Sequence, residues 1–313
     1  MEPMITFNHV SKAFGDQLVL KDFNLTIPRG EIFVLVGPSG SGKSTSLKMI
    51  NGLIQQSEGD ILFEGENIQS YDLQKLRWKI GYVLQQIALF PNMTVQRNIA
   101  VIPEMLGWPK QKIVKETKRL LKRVDLDPET YLSRYPSELS GGEQQRIGII
   151  RAIIAQPEII LMDEPFSALD PIIRESLQDL VVSLHDEFKT TIVFVTHDMK
   201  EALRIGDRIG IINDGILEQV GTPQSLVNNP ETAFVKQFFS NPEQNHQTVS
   251  RLIDNGYYNQ DVAEDSHPSL QTDTLLSELY SVLASNEQVN VYHHDQYIGR
   301  INRQDILHFL AKE

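Results

Sequence analysis

The chain has 313 residues, 41% hydrophobic and 22% charged, enough for one large folded domain and a smaller one. A formal charge of −12 argues against a broad nucleic-acid binder, and the lack of cysteine excludes disulfide and thiolate chemistry. No run nears about 18 apolar residues, and the opening MEPMITFNHV lacks a basic region before an apolar core, so neither a spanning helix nor a secretory signal is expected.

Over residues 5–27 polar and apolar side chains alternate around Gly15-Asp16, which predicts an antiparallel hairpin. Ile32-Phe33-Val34-Leu35-Val36 is a continuous apolar run of strand length, suited to a parallel sheet covered on both faces. Gly37-Pro38-Ser39-Gly40-Ser41-Gly42-Lys43-Ser44, with Thr45 next, fits G-x-x-x-x-G-K-[ST] before a helix expected over residues 44–51. Glycines there allow a tight turn and close approach to phosphate. Successive amides and the helix N-terminus cradle the anion. Lys43 brings charge to the β- and γ-phosphates, and the Ser44 hydroxyl is a hard-oxygen ligand for Mg²⁺.

Residues 110–124 carry apolar positions at helical spacing and fall in a helical insertion expected over roughly residues 88–155. Leu139-Ser140-Gly141-Gly142-Glu143-Gln144-Gln145-Arg146 reads as a serine-glycine turn opening a helix, a geometry that also binds phosphate. Ile159-Ile160-Leu161-Met162 is a second buried strand ending in Asp163-Glu164. That pair is a solvated strand end or, beside a phosphate loop, a metal-holding carboxylate (Asp163) and a general base (Glu164). A helix over residues 172–188 and a strand over 192–195 continue the alternation of a mostly parallel sheet with right-handed crossovers.

From residue 228 to 247 the chain is rich in Asn, Gln and Pro, a plausible boundary. Residues 241–313 then hold 11 acids, 4 bases and five of the eight histidines. A helix is expected over residues 275–284, strands over 288–292 and 297–301, and a last helix over 304–311.

The string LSGGEQQR, some twenty residues before a strand ending in Asp-Glu and about a hundred after the phosphate loop, resembles the signature of ABC transporter ATPases. The resemblance covers roughly residues 4–240. It implies a P-loop NTPase fold: a mostly parallel sheet, an N-terminal antiparallel β region and a helical subdomain, with a small α+β domain over 241–313. It also implies roles. Gln85, rather than the adjacent Gln86, matches the Q-loop and a Mg²⁺ ligand. Ser167-Ala168-Leu169-Asp170 matches the D-loop, and His197 the switch histidine that acts in catalysis with Glu164. Phe14 stands in the adenine-stacking place, where Tyr is commoner. ATP and Mg²⁺ are the implied ligands. ATP would be sandwiched head to tail between one copy's phosphate loop and the other's Ser140, Gly141 and Gly142, at the cytoplasmic face of the membrane beneath separate permease subunits. A solute-binding protein would take part indirectly.

The stretch from Gln85 to Val95, continuing through Pro103-Glu104-Met105-Leu106-Gly107-Trp108, is similar to ATPases of quaternary-amine importers for glycine betaine, carnitine or choline. Another small solute such as an amino acid is the alternative, and a non-transport ABC ATPase a remote one. Ile298-Gly299-Arg300-Ile301 with Asp305-Ile306-Leu307 looks like the end of a CBS motif. The tail has room for one such motif. It is read as half of a pair completed by two-fold symmetry, as a stabilising appendage, or as a charged sensor of ionic strength.

Overall fold

The computed structural model describes residues 2–85, 88–167, 169–240, 248–254, 256–259, 267–274, 276–293 and 296–310. The chain divides into two compact units, Met1–Lys236 and Gln237–Glu313.

The N-terminal hairpin forms from β1 (Pro3–Phe14) and β2 (Gln17–Pro28), paired up to Phe14 opposite Gln17. β3 (Ile32–Val36) is buried at all five positions and leads through the phosphate loop into α1 (Lys43–Ile50). β4 (Glu58–Phe63) and the short β5 (Glu66–Asn67) complete an antiparallel sheet in the order β2-β1-β4-β5. After α2 (Leu73–Trp78) and β6 (Ile80–Val83) comes a helical stretch: α3 (Val95–Met105), α4 (Lys110–Arg123), α5 (Pro128–Tyr131) and α6 (Gly141–Ile153). The chain returns through β7 (Ile159–Asp163), α7 (Pro171–Phe188), β8 (Thr191–Thr196) and α8 (Met199–Ile205). It then adds β9 (Arg208–Asn213), β10 (Ile216–Gly221), α9 (Pro223–Asn228) and α10 (Ala233–Ser240).

The main sheet runs β10-β9-β3-β8-β7-β6 and is parallel except for β10. Strands β3, β7 and β8 are buried throughout, as continuous apolar runs require in a sheet covered on both faces. Strands β6 and β9 escape the apolar-run criterion. β6 is short and alternates buried with half-buried positions, while β9 opens on Arg208 and its apolar run is interrupted by Gly210. Both are recruited by register: Ile80 to Val83 lie opposite Ile159 to Met162, and β9 lies along β3. A core containing Phe7, Phe23, Phe33, Phe63, Leu47 and Met49 joins residues of the antiparallel sheet to the main sheet. Each such side chain contributes about 1.5–3 kcal/mol on burial.

The second unit holds α11 (Val249–Asp254), β11 (Ser269–Gln271), α12 (Leu276–Ser285), β12 (Gln288–His293), β13 (Gln296–Asn302) and α13 (Arg303–Leu310). Its sheet order is β11-β12-β13, with β11 parallel and β13 antiparallel to β12. Val249, Leu252, Leu279, Val291, Ile301 and Phe309 lie in its core. The strand β11 was not among the sequence expectations. It has three residues, too short for periodicity to register.

Among the described residues, no helix is long and apolar enough to cross a membrane.

Candidate nucleotide site

Parallel strands β3, β7 and β8 carry the site at their C-terminal ends, where such sheets bind ligands. The phosphate loop leaves β3 and turns through Gly40 at φ 78° and Gly42 at φ 100°, conformations that favour glycine. Close packing constrains it further. A Cβ on Gly37 would stand 2.0 Å from the Ile212 carbonyl oxygen on β9, and one on Gly42 would stand 2.7 Å from Leu20 Cδ2 on β2. The neighbouring Val19 carbonyl also lies 3.0 Å from that Gly42 position. The hairpin bearing Phe14 therefore borders the loop. Phe14 itself is 49% exposed, with Lys12 Nζ 4.7 Å from its ring centre, and so presents an aromatic surface.

Lys43 is buried and donates to the Gly37 and Pro38 carbonyls at 2.8 and 2.7 Å. Burial lowers its pKa to about 8, against the opposing attraction of Glu164 and Asp163. The Ser44 hydroxyl donates to Asp163 Oδ1 at 2.6 Å, joining helix α1 to the end of β7. Ser39 and Gly40 are exposed, Pro38, Ser44 and Thr45 half-buried. The Ser41 hydroxyl is buried with no hydrogen-bond partner, an orphaned polar group in a loop built for an acceptor.

Glu164 follows Asp163 with φ 43°, a left-handed conformation costly for a residue with a side chain. Its amide donates to the Val195 carbonyl at 2.9 Å, which ties it to β8. His197 Nδ1 lies 2.9 Å from Glu164 Oε2; a carboxylate only accepts, so Nδ1 carries the proton. That hydrogen bond raises the His197 pKa above its ordinary value, against the effect of burial. Gln85 Nε2 approaches the same oxygen at 3.5 Å, a weak contact that places the Gln85 amide beside Glu164. Gln86 and Ala168 lie outside the described residues.

Phosphate and Mg²⁺ fit this donor set. The loop offers amides, a cation and an unpartnered hydroxyl, and the Ser44–Asp163 pair offers hard oxygens.

Ser140, Gly141 and Gly142 lie apart from that cluster. Ser140 caps α6 through a reciprocal capping box: its Oγ accepts from the Glu143 amide at 3.3 Å and Glu143 Oε2 accepts from the Ser140 amide at 2.7 Å. Tyr131 OH donates to the other Glu143 oxygen. Ser140 and Gly141 are exposed, and Gly142 is buried against Ile173 of α7. Among the described residues, no hydrogen bond joins Ser140 to the Lys43 loop. Asp170 caps α7, accepting from the Ile173 amide at 3.0 Å, so the D-loop match and the signature turn are neighbours.

The family model described as ABC transporter matches residues 20–167, a span running from β2 through Glu164. Over 306 residues the chain is 39% identical to the glycine betaine uptake system ATP-binding protein YehX of Escherichia coli, covering 97% of this chain and 99% of that one. The chain belongs to the ABC transporter ATP-binding family. It is 52% identical over 236 residues to the choline transport ATP-binding protein OpuBA of Bacillus subtilis, covering 75% of this chain. The match spans 62% of that relative's length. Among solved structures, the ATP-binding cassette MJ0796, in a dimeric post-hydrolysis state bound to ADP and Pi, superposes with a TM-score of 0.63 at 34% identity. That match covers 70% of this chain and 99% of the other.

No sequence motif marks the polar cluster beside the candidate nucleotide site. Thr196 Oγ1, Glu201, Gln178 and Arg174 brace the segments bearing His197 and Asp170. The only signal available was position: Thr196 precedes His197, and Arg174 lies one helical turn after Asp170.

Proposed function

We propose that this chain is the ATP-hydrolysing motor of an importer for quaternary-amine osmoprotectants, working as a dimer at the cytoplasmic face of the membrane, on separate permease subunits. The observation that carries the motor reading is the meeting of loop and strand ends. Ser44 is joined to Asp163, and the next residue, Glu164, is joined to His197. The loop amides and Lys43 would bind the β- and γ-phosphates, and Phe14 would stack on adenine. Ser44, Asp163 and Gln85 are the residues that would hold Mg²⁺, which when bound supplies charge neutralisation across the phosphates. Glu164 accepts a proton from the attacking water as general base, while the His197 imidazole fixes its carboxylate.

The exposed start of α6 supports a shared site. Ser140, Gly141 and Gly142 would meet the γ-phosphate bound to the other copy's Lys43 loop, and Asp170 would face the same junction. The dimeric MJ0796 cassette supports this arrangement. Docking on a permease is supported by an apolar groove of about 400 Å³ lined by Trp78, Tyr82, Leu84, Phe90, Ile102 and Arg151, next to the Gln85 turn. A solute-binding protein would act through that permease.

The solute class rests on relatives named for choline and glycine betaine transport. The tail is read as a single CBS-like module. The succession β11-α12-β12-β13-α13 supports that reading, and the match to YehX runs on through nearly the whole chain.

The test is Glu164→Gln with purified protein. ATP binding should persist and turnover should fall about 10²–10⁴-fold. Normal hydrolysis by that variant would remove Glu164 from the role of base. Reconstituted with its permease, the wild type should show ATPase stimulated by a quaternary amine and not by an amino acid.

A further inference from the structure

On α7, one helical turn beyond Asp170, the Arg174 guanidinium reaches in two directions. Its Nη2 donates to the Leu169 carbonyl at 3.1 Å, immediately before Asp170. Its Nη1 lies 3.6 Å from Asp198 Oδ2, immediately after His197, and its Nε lies 4.0 Å from Glu201 Oε1. Those acids belong to the scaffold of the His197 turn. Thr196 Oγ1 donates to Glu201 Oε2 at 2.6 Å and accepts from the Asp198 amide at 2.9 Å. Asp198 Oδ1 in turn caps α8. His197 therefore sits between two residues held in one polar network, and Arg174 is the side chain that extends this network to the D-loop backbone.

The Arg174 Nε is buried and has no hydrogen-bond partner. An unsatisfied buried donor is costly, and Glu201 Oε1 stands just beyond reach. One cation thus faces acceptors on both segments at once, the Leu169 carbonyl on one and Asp198 and Glu201 on the other.

From this geometry we infer that Arg174 is a positioning residue linking the Asp170 segment to the His197 turn, so that events at the partner-facing segment set the placement of His197. The inference rests on the proposed ATP sandwich. Arg174 is distinct from the residues proposed to bind nucleotide, and its contacts are to the Leu169 carbonyl, Asp198 and Glu201. Its effect is transmitted through the Leu169 carbonyl on one side and Asp198 on the other. Lysine would keep the charge but lacks the fork needed to serve both sides.

The experiment compares wild type, Arg174→Lys, Arg174→Ala and Arg204→Ala in steady-state ATPase assays, with nucleotide binding and thermal unfolding measured alongside. Arg204 also pairs α8 with α7, through Asp179 at 2.9 Å, but does not touch the His197 turn. Both Arg174 variants should lose about tenfold or more in kcat with KM for ATP within about twofold, and their Hill coefficient should fall to 1. Arg204→Ala should leave kcat and the Hill coefficient unchanged. Arg174→Lys behaving as wild type, or a KM rise with kcat kept, overturns the inference. So does a loss of activity that merely follows a lower unfolding temperature and is matched by Arg204→Ala. A wild type that binds ATP yet neither hydrolyses it nor dimerises overturns the motor reading instead, and the positioning role falls with it.

Discussion

Two glycine-rich turns precede helices in the same unit, yet they are built differently. The phosphate loop before α1 is enclosed: Lys43 is 4% exposed, Ser44 is tied to β7, and β9 and β2 press on Gly37 and Gly42. The turn before α6 is satisfied by its own neighbours, through a capping box and Tyr131, and leaves Ser140 and Gly141 facing solvent. One turn is shaped from within the chain. The other is stabilised from within and presented outward, which is what the proposed sharing of ATP between two copies requires.

The sharpest break in that contrast is a pair of alanine substitutions. Gly37→Ala puts a methyl 2.0 Å from the Ile212 backbone oxygen on β9, a strand paired on both sides, where little can yield. It should cost about 3 kcal/mol or more, or prevent folding, as chemical denaturation would report. Gly141→Ala meets only Leu169 Cδ2 at 3.8 Å, an ordinary contact. Stability should hold or rise by about 0.5 kcal/mol, since alanine loses less entropy in a helix. ATPase should nevertheless fall about tenfold or more, because the proposed sandwich needs the Gly141 backbone to approach the partner's phosphate closely. Full activity in Gly141→Ala would mean that the α6 start touches no phosphate.

A smaller effect sharpens the enclosed side. Burial holds the Lys43 pKa at about 8, below its ordinary 10.5, so between those values the unfolded chain binds the extra proton. Stability of nucleotide-free protein should therefore rise with pH across that window relative to Lys43→Met. The gain should be about 1–2 kcal/mol, read from denaturation midpoints at pH 7.5 and 10. Equal pH slopes in the two proteins would show that Lys43 is not desolvated as the fold implies.

The contrast also explains what could be read in advance. The loop G-x-x-x-x-G-K-S and the apolar runs of β3, β7 and β8 are local signals, and local sterics and burial impose them wherever they occur. Ser140 marks a helix start for an equally local reason, since its hydroxyl satisfies an amide of its own first turn. β6 and β9 give little local signal because their partners, not their side chains, make them strands. In the second unit, residues 241–247 and 260–266 lie outside the described residues, and the sheet recovered there gained a strand no pattern announced.

Sequence by itself determined that a phosphate loop would sit between a buried strand and a helix, that an acidic pair would end another strand, and that a tail of different composition would follow. These are fixed by neighbours a few residues apart. The resemblance paired Glu164 with His197, but tertiary structure alone decided that they meet through Nδ1 and Oε2, and that Ile212 closes over Gly37. It also decided that Arg174 stands between the D-loop carbonyl and the acids beside His197. Those meetings depend on strand order and register in the six-stranded sheet, and packing of the whole sheet is what selects them.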